Sequence, residues 1–345
     1  MYINAPHPID SVAIIGAGMA GLGCASALAL EIPEVVLFES RSCPGGRMSG
    51  SLIDGERHDD ACMPFTISDP LFRELVHSWR ADGWIQPVCG WRGQVVDHQL
   101  VTLDEGPQRY VAMSDSGYLA QRLSDPLKLR LNTDIATIER GRSSFRVGNA
   151  QGRVLGEFDA VVLATPPDAA ARLLAALDTH LLTAAASIPE APLWVATLWF
   201  DLDLPVAYGE IQFPQSDRIE RALKLRALPD RPRGETWVLH ARREWSAANA
   251  TLTQRQAATA LGGEFLRNLK LKTRPNAAYA RTWQVPTALL PPSAGCLLDD
   301  TLGIGICGDW CMNGTVEGAY LSGLLLAEQL LALRRPAMLR RASSA

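Results

Sequence analysis

The chain is poor in lysine. Only Lys128, Lys224, Lys270 and Lys272 occur among its 33 basic residues, the others being arginine. No basic run is long enough to form a nucleic-acid face, and the net charge of −4 argues the same way, so no nucleic-acid partner is expected. The seven cysteines are odd in number, with no CxxC pair and no His/Cys cluster at zinc spacing. That pattern suits reduced thiols, a cytoplasmic location and no structural metal. The first ten residues, MYINAPHPID, lack the basic and apolar segments of a secretory signal. The longest apolar stretches, around 27–30 and 321–333, are broken by Glu31, Ser322, Glu328 and Gln329. Neither reaches the roughly 18 to 20 residues of a spanning helix, so a soluble protein without a membrane partner is expected.

What is present is apolar substance: 345 residues, 47% hydrophobic, enough for two cores. Val12-Ala-Ile-Ile15 is a continuous apolar run, the mark of a strand buried on both faces of a parallel sheet. Gly16-Ala17-Gly18-Met19-Ala20-Gly21 follows at once and opens an alanine- and leucine-rich helix to about 31. Gly16 permits a tight turn, Gly18 lets the backbone approach a pyrophosphate, and Gly21 lets the helix pack closely on the strand. The N–H groups at the helix start, around Met19 and Ala20, then face the phosphates. A second strand, Val35–Phe38, ends at Glu39, whose carboxylate can accept both hydrogen bonds of a ribose diol. A lone GxGxxG is weak evidence. Its position between strand and helix, with the acid 18 residues after Gly21, makes it a dinucleotide site, but cannot separate NAD from FAD.

Beyond about 55 the pattern changes. Asp69-Pro70 predicts a capped helix with Leu71, Phe72, Leu75, Val76 and Trp79 inward and a stop at Gly83. Strand-like pieces at 84–96 and 99–112 and a helix opened by Ser116-Gly117 follow, with Trp84 and Trp91 read as core. The nucleotide domain resumes with Leu129–Leu131, Ile135–Ile138, a hairpin at 144–155, and the buried strand Asp159–Leu163 leading to Ala164-Thr165-Pro166-Pro167. Then come strands at Trp194–Phe200 and Thr236–Arg242, and an amphipathic helix over Thr253–Leu269 with Ala257, Leu261, Phe265 and Leu269 on one face. Period-two alternation puts Val238 and His240 on one side of their strand and Trp237, Leu239 and Ala241 on the other. Gly303, Gly305 and Gly308 formally repeat GxGxxG, but apolar residues alternate through them as in a strand and the next helix, from Val316, starts too late for a phosphate turn. No second nucleotide domain is implied.

Three stretches carry a resemblance. Glu39-Ser40-Arg41-Ser42-Cys43-Pro44-Gly45-Gly46-Arg47-Met48 resembles the turn that follows the fingerprint in the FAD-binding amine oxidase superfamily. Asp159–Thr165 resembles the strand that closes over FAD, and Gly308-Asp309 with Thr315, Val316 and Glu317 resembles the C-terminal ribityl-binding motif. TWVLHARREWS at 236–246 and ICGDWCMNGTVEGAYLSG at 306–323 are similar to the renalase branch. The resemblance implies an α/β fold: a Rossmann-type FAD domain (1–54, 126–188, 294–334), a mixed-sheet substrate domain (55–125, 189–293) and a mobile tail at 335–345. It implies noncovalent FAD held by Gly16, Gly18, Met19, Ala20, Gly21, Glu39, Ser40, Arg41, Gly45, Gly46, Arg47, Met48, Ile135, Ala164, Thr165, Gly308, Asp309, Thr315, Val316 and Glu317. Cys311 stands where some relatives attach flavin covalently, whereas the renalase branch binds it noncovalently.

The implied activity is oxidation of the 2- and 6-dihydro isomers of NAD(P) to NAD(P)+ by hydride transfer to flavin N5, with O2 as acceptor and hydrogen peroxide as product. One departure stands out: Ala61-Cys62-Met63-Pro64-Phe65-Thr66 replaces the G-A-Q-Y-F-T of bacterial renalases, removing an amide and a phenol. Another small-molecule substrate, an amine or biosynthetic intermediate, therefore stays open, as does a flavin-binding protein without turnover. Hydride transfer needs orientation more than acid/base groups, so the expected lining is aromatic: Phe65, Trp199, Trp237, Trp283 and Trp310, with Met63 and the polar His240. No lysine is expected in a strand of the site, which argues against the lysine–water pair of many amine oxidases. The oligomeric state is not legible.

Overall fold

The computed structural model describes residues 9–53, 56–60, 64–104, 106–231, 233–291 and 293–342. The chain divides into two compact units: Met1–Gly46, Ala120–Glu190 and Pro286–Ala345 in the first, Arg47–Leu119 and Ala191–Val285 in the second.

In the first unit the apolar runs become a six-stranded sheet in the order Lys128–Arg130, Glu34–Phe38, Ser11–Ile15, Ala160–Leu163, Ile304–Ile306 and Leu297–Asp299. The first five strands are parallel and the last is an antiparallel edge. Both faces are covered, as continuous hydrophobicity requires. On one side Ala13, Ile15, Phe38, Val161, Leu163 and Ile306 join a core with the three-stranded antiparallel sheet of Thr137–Arg140, Phe145–Gly148 and Val154–Phe158. On the other lie the helices Met19–Leu28 and Val316–Ala342, which cross at glycines. A Cβ on Gly323 would sit 2.0 Å from the Ala20 carbonyl oxygen, and one on Gly23 would sit 2.7 Å from that of Tyr320.

The long C-terminal helix corrects two expectations. It runs without interruption to Ala342, past Arg334 where the sequence reading ends the periodic pattern; residues 343–345 lie outside the described residues. Its Val316–Arg334 portion is also long and apolar enough to cross a membrane by length and composition. Ser322 and Gln329 carry no charge, so they interrupt the run less than their polarity suggests. Slightly more than half of its most apolar window is buried within the protein, Leu326, Ala327 and Leu330 among it.

The second unit is built on a seven-stranded mixed sheet: Ala277–Pro286, Glu190–Phe200, Glu235–Ala241, Ile219–Lys224, Glu210–Gln212, Arg92–Val96 and Gln99–Thr102. The helix Gln254–Asn268 covers one face with Ala257, Leu261 and Phe265, against Trp194, Ala196, Leu198, Trp237, Leu239 and Ala241. A capping box between Thr253 and Gln256 starts that helix. A smaller sheet joins Phe65–Thr66, Arg109–Ala112 and Ile85–Pro87. Beside it the helix Pro70–Ala81 is capped by Asp69, whose carboxylate accepts from the Leu71 and Phe72 N–H groups, and Gly83 ends the turn at φ +75°. Phe72, Val76 and Trp79 are inward as expected. Leu71, in the first turn, is exposed, and so is Trp91, which is therefore not a core residue; Trp84 is half-buried.

Candidate active site

The glycine turn of the first unit meets the demands of its spacing. Gly16 has φ +103°, and a Cβ there would lie 2.4 Å from the Ala164 carbonyl oxygen. At Gly21 a Cβ would fall 1.9 Å from the Gly16 carbonyl oxygen, so helix and strand touch through backbone. Gly18 differs: its backbone is extended, and a Cβ would meet nothing within 4 Å. The space above it is open. Gly18 is also the N-cap of the Met19–Leu28 helix, without a capping side chain and with no acidic residue in the first turn. The N–H groups there are left for an anion.

Glu39, buried at the end of its strand, accepts from the Ala17 N–H at 2.9 Å and the Arg41 N–H at 3.0 Å. Ser40, exposed beside it, donates to the same carboxylate at 3.4 Å. Arg41 Nη1 donates to the Gly46 carbonyl at 2.8 Å, and Gly45 N–H to that of Ala17 at 2.8 Å, which ties the second glycine turn to the first. Gly45 and Gly46 both have positive φ, and a Cβ on Gly46 would lie 3.6 Å from Gly18 Cα. The loop carrying buried Ile135 joins the group: Asn132 N–H bonds to the Arg41 carbonyl and Thr133 N–H to that of Glu39. Arg47, exposed, and Met48, buried, continue the chain as a short 3-10 turn into the second unit.

At the ends of the central strands, Thr165 carries a buried hydroxyl with no hydrogen-bond partner among the described residues. Its carbonyl accepts from Trp310 Nε1 at 3.1 Å. Gly308 is extended, a Cβ there would strike the Trp310 indole at 2.8 Å, and its N–H bonds to Ser322 Oγ. Asp309 is half-exposed, Thr315 accepts from the Gly318 N–H at 2.9 Å, Val316 is half-buried and Glu317 is buried in the first turn. An open Gly18 cradle, an uncapped helix start, a carboxylate at the second strand end and an orphaned Thr165 hydroxyl fit a dinucleotide with its pyrophosphate and ribose. Cys311 is buried, and burial followed by the nearby Cys307 pushes its thiol well above the ordinary range, so it offers no thiolate for a covalent link.

In the second unit the registers place Val195, Thr197, Val238, His240, Leu223 and Arg221 on the sheet face opposite the Gln254–Asn268 helix. His240 and Thr197 are buried, and His240 Nε2 and Thr197 Oγ1 have no hydrogen-bond partner among the described residues. Complete burial, assisted by the Arg221 guanidinium, lowers the His240 pKa to about 3, so the imidazole is neutral. Half-buried Trp199 shares the alternation of Thr197. Trp283 lies with its ring 3.7 Å from the Arg281 guanidinium carbon, and Arg281 reaches the Asp60 carboxylate at 3.7 Å. Asp59 accepts from the Ser116 N–H and pairs with buried Arg231.

The expected aromatic lining is only partly assembled. Trp237 packs beneath Phe265 on the opposite face, centroids 5.1 Å apart, and donates to Glu235 at 2.7 Å. Trp310 is a buried brace of the first unit, and Phe65 packs with Phe72 and Tyr110 around the smaller sheet. Met63 lies outside the described residues, as do Ala61 and Cys62. Lys224 corrects the expectation about lysine: it ends the Ile219–Lys224 strand, buried, donating to the Val206 carbonyl at 2.7 Å, 3.5 Å from Glu235. It pairs in register with Trp237 and so belongs to the helix-covered face, away from His240. Sequence reading missed Thr197, Arg221, Arg231, Arg281, Asp59 and Asp60. Alternation from His240 could have reached Thr197, but nothing local marks the charged residues.

Comparison with known proteins agrees with this architecture. Residues 14–78 match the model of an NAD(P)-binding Rossmann-like domain, and residues 92–331 match that of flavin containing amine oxidoreductase. Among solved structures, a putative protoporphyrinogen oxidase from Exiguobacterium sp. 255-15 superposes with a TM-score of 0.77 at 12% identity, covering 93% of this chain and 98% of that one. Cyclohexylamine oxidase from Brevibacterium oxydans IH-35A gives 0.69 at 14% identity, over 94% and 99%. A putrescine oxidase bound to putrescine gives 0.68 at 14%, over 94% and 99%. With most of its length inside the second model, and with the dinucleotide cradle in place, the chain belongs to the family of flavin-containing amine oxidoreductases and is an FAD-dependent oxidoreductase.

Proposed function

We propose that the enzyme oxidises an electron-rich, neutral dihydropyridine of the kind found in the 2- and 6-dihydro isomers of NAD(P), returning the aromatic NAD(P)+. The observation that supports this reading is the pair of buried polar atoms without a hydrogen-bond partner among the described residues, Thr197 Oγ1 and His240 Nε2, set among Val195, Val238 and Leu223. Buried polar groups of this kind call for a partner, and a flat ring bearing a carboxamide offers both a donor and an acceptor. His240, neutral above about pH 3, orients such a ring by hydrogen bonding and does not hold a proton for exchange. Hydride transfer asks for no more than this from the protein.

In the first unit Gly18 and the Met19 helix start would hold the FAD pyrophosphate, Glu39 the ribose and Thr165 a polar edge of the cofactor. Bound FAD supplies the hydride acceptor, at N5, and passes the electrons to O2 to give hydrogen peroxide. Arg41 keeps the second glycine turn in place through Gly46, which preserves the approach of backbone to phosphate.

The test is anaerobic stopped-flow mixing of the yellow holoenzyme with 6-dihydroNAD. Flavin bleaching should be more than about a hundredfold faster than with NADH, a barrier difference of about 3 kcal/mol, and air should return one peroxide per turnover. Absence of bleaching would overturn the reading, and reduction by an amine instead would move the assignment to amine oxidation.

A further inference from the structure

Among the described residues, arginines outnumber carboxylates on the sheet face that carries Thr197 and His240. In register, His240 pairs with Arg221, Arg221 with Gln212, and Glu210, two residues from Gln212, with Arg92. These residues therefore occupy one face of four neighbouring strands in two adjacent rows, His240–Arg221–Gln212 and, two residues along, Leu223–Glu210–Arg92. Arg109, from the smaller sheet, closes on Glu210 from the side. Glu210 is buried and receives both Arg109 and, at 3.8 Å, Arg92. Among the described residues the ion-pair partner of Arg221 is its neighbour Glu220, at 3.6 Å. The Nε atoms of Arg92 and Arg221 are buried and have no hydrogen-bond partner among the described residues. Val88, Gly90, Gly209, Leu223 and Leu228 line the small hollow beside Arg109 and Glu210.

Among the described residues, three guanidiniums thus share one buried carboxylate and one surface carboxylate, and two of them keep an unused buried donor. Burial, then Arg92 and Arg221, lower the Arg109 pKa to about 10, which marks both as close enough to repel its guanidinium. Such an arrangement is relieved by an oxyanion, which a guanidinium fork binds with paired charge-assisted hydrogen bonds. An ammonium group would meet net repulsion there, since the three cations outnumber the two carboxylates.

We propose that Arg92, Arg109 and Arg221 form an oxyanion subsite that holds the phosphate or carboxylate of the substrate whose oxidisable ring rests against Thr197 and His240. The second clause rests on the function proposed above; the subsite itself does not. It makes the enzyme selective for anionic substrates over the amines after which relatives of similar fold are named.

The experiment uses the holoenzyme and its Arg221→Gln, Arg221→Lys and Arg92→Gln variants, with FAD content and Tm recorded for each. Inorganic pyrophosphate and succinate are titrated in thermal-shift and calorimetric assays, and KM is measured for 6-dihydroNAD and for phosphate-free N-methyl-1,6-dihydronicotinamide. Pyrophosphate should raise the wild-type Tm and bind at least tenfold more weakly to Arg221→Gln, with partial rescue in Arg221→Lys. The KM of the dinucleotide should rise at least tenfold more than that of the phosphate-free ring. Preference for succinate over pyrophosphate would support the subsite with a carboxylate as its natural occupant. If wild type oxidises neither dihydropyridine yet loses anion binding on Arg221 substitution, the subsite stands and the ring assignment falls. If both ring compounds are oxidised and neither anion binding nor the KM ratio responds to Arg92 and Arg221, the subsite is overturned. Arg221, partly exposed, keeps the test open should Arg92→Gln not fold.

Discussion

Arg221 and His240 are cross-strand partners, and the guanidinium on one side of the pair helps keep the imidazole on the other neutral. His240 titrates at 6.5 in the ordinary state and at about 3 in the fold. Between those values the unfolded chain binds a proton that the folded chain does not. Stability is therefore fully present above about pH 6.5 and declines as pH falls toward 3, with a slope approaching about 1.4 kcal/mol per pH unit. Thermal unfolding from pH 7.5 to 4.5 should show this decline in wild type, and a flatter profile in His240→Gln.

Gly18 and Gly21 should behave oppositely when replaced by alanine. The Gly18 backbone suits any residue and its Cβ position is open, so Gly18→Ala should unfold within about 0.5 kcal/mol of wild type yet retain less FAD. Gly21→Ala forces a Cβ into the Gly16 carbonyl and should cost roughly 1–3 kcal/mol. Flavin-to-protein absorbance after gel filtration, alongside Tm, separates the two effects.

Glu39→Ala leaves the Ala17 N–H, bonded in a buried setting, without its acceptor, a loss of about 1–3 kcal/mol. It should also weaken FAD retention in apo-reconstitution; full retention would contradict the ribose role. Glu39→Gln keeps an acceptor for Ala17 and should recover much of the stability.

Lys224 has a lowered pKa, from burial first, opposed by Glu235, and its ammonium lies 5.1 Å from the Trp237 ring centroid. Its place on the helix-covered face predicts that Lys224→Met changes stability while flavin reduction stays within about twofold, under 0.5 kcal/mol of barrier. A large loss of reduction rate would assign it a role beside the flavin.

Arg231→Ala should be among the most damaging changes in the second unit. It strands the buried Asp59 carboxylate, which leaves an uncompensated charge and costs about 3–5 kcal/mol. Asp59→Asn combined with Arg231→Met should be milder than Arg231→Ala alone, as judged by urea midpoint.

Much of the fold was legible because its signals are local. The run at 12–15, the glycines at 16, 18 and 21, and the Asp69-Pro70 cap each specify their conformation within a few residues, and each is found as read. The alternation at 237–241 likewise assigned the two sheet faces, with His240 opposite Trp237 and Leu239. What escaped depends on partners distant in sequence. Arg109 lies 101 residues from Glu210, and Arg231 lies 172 from Asp59. The lysine expectation failed because Lys224 closes a strand through pairing with Trp237, which periodicity around residue 224 does not reveal. Trp310 and Trp237 misled because an aromatic residue in a motif reads alike whether it braces backbone or lines a cavity.

The glycine crossing of the Met19–Leu28 and Val316–Ala342 helices joins the two ends of the chain. During synthesis the nucleotide turn emerges first, yet the surface it shares with Gly323 stays uncovered until some three hundred further residues have followed. The first unit therefore stays incomplete until its last segment has been made, a high-contact-order closure of the kind that folds slowly. A chain truncated before Val316 would carry the entire fingerprint and still leave the apolar side of its first helix facing water.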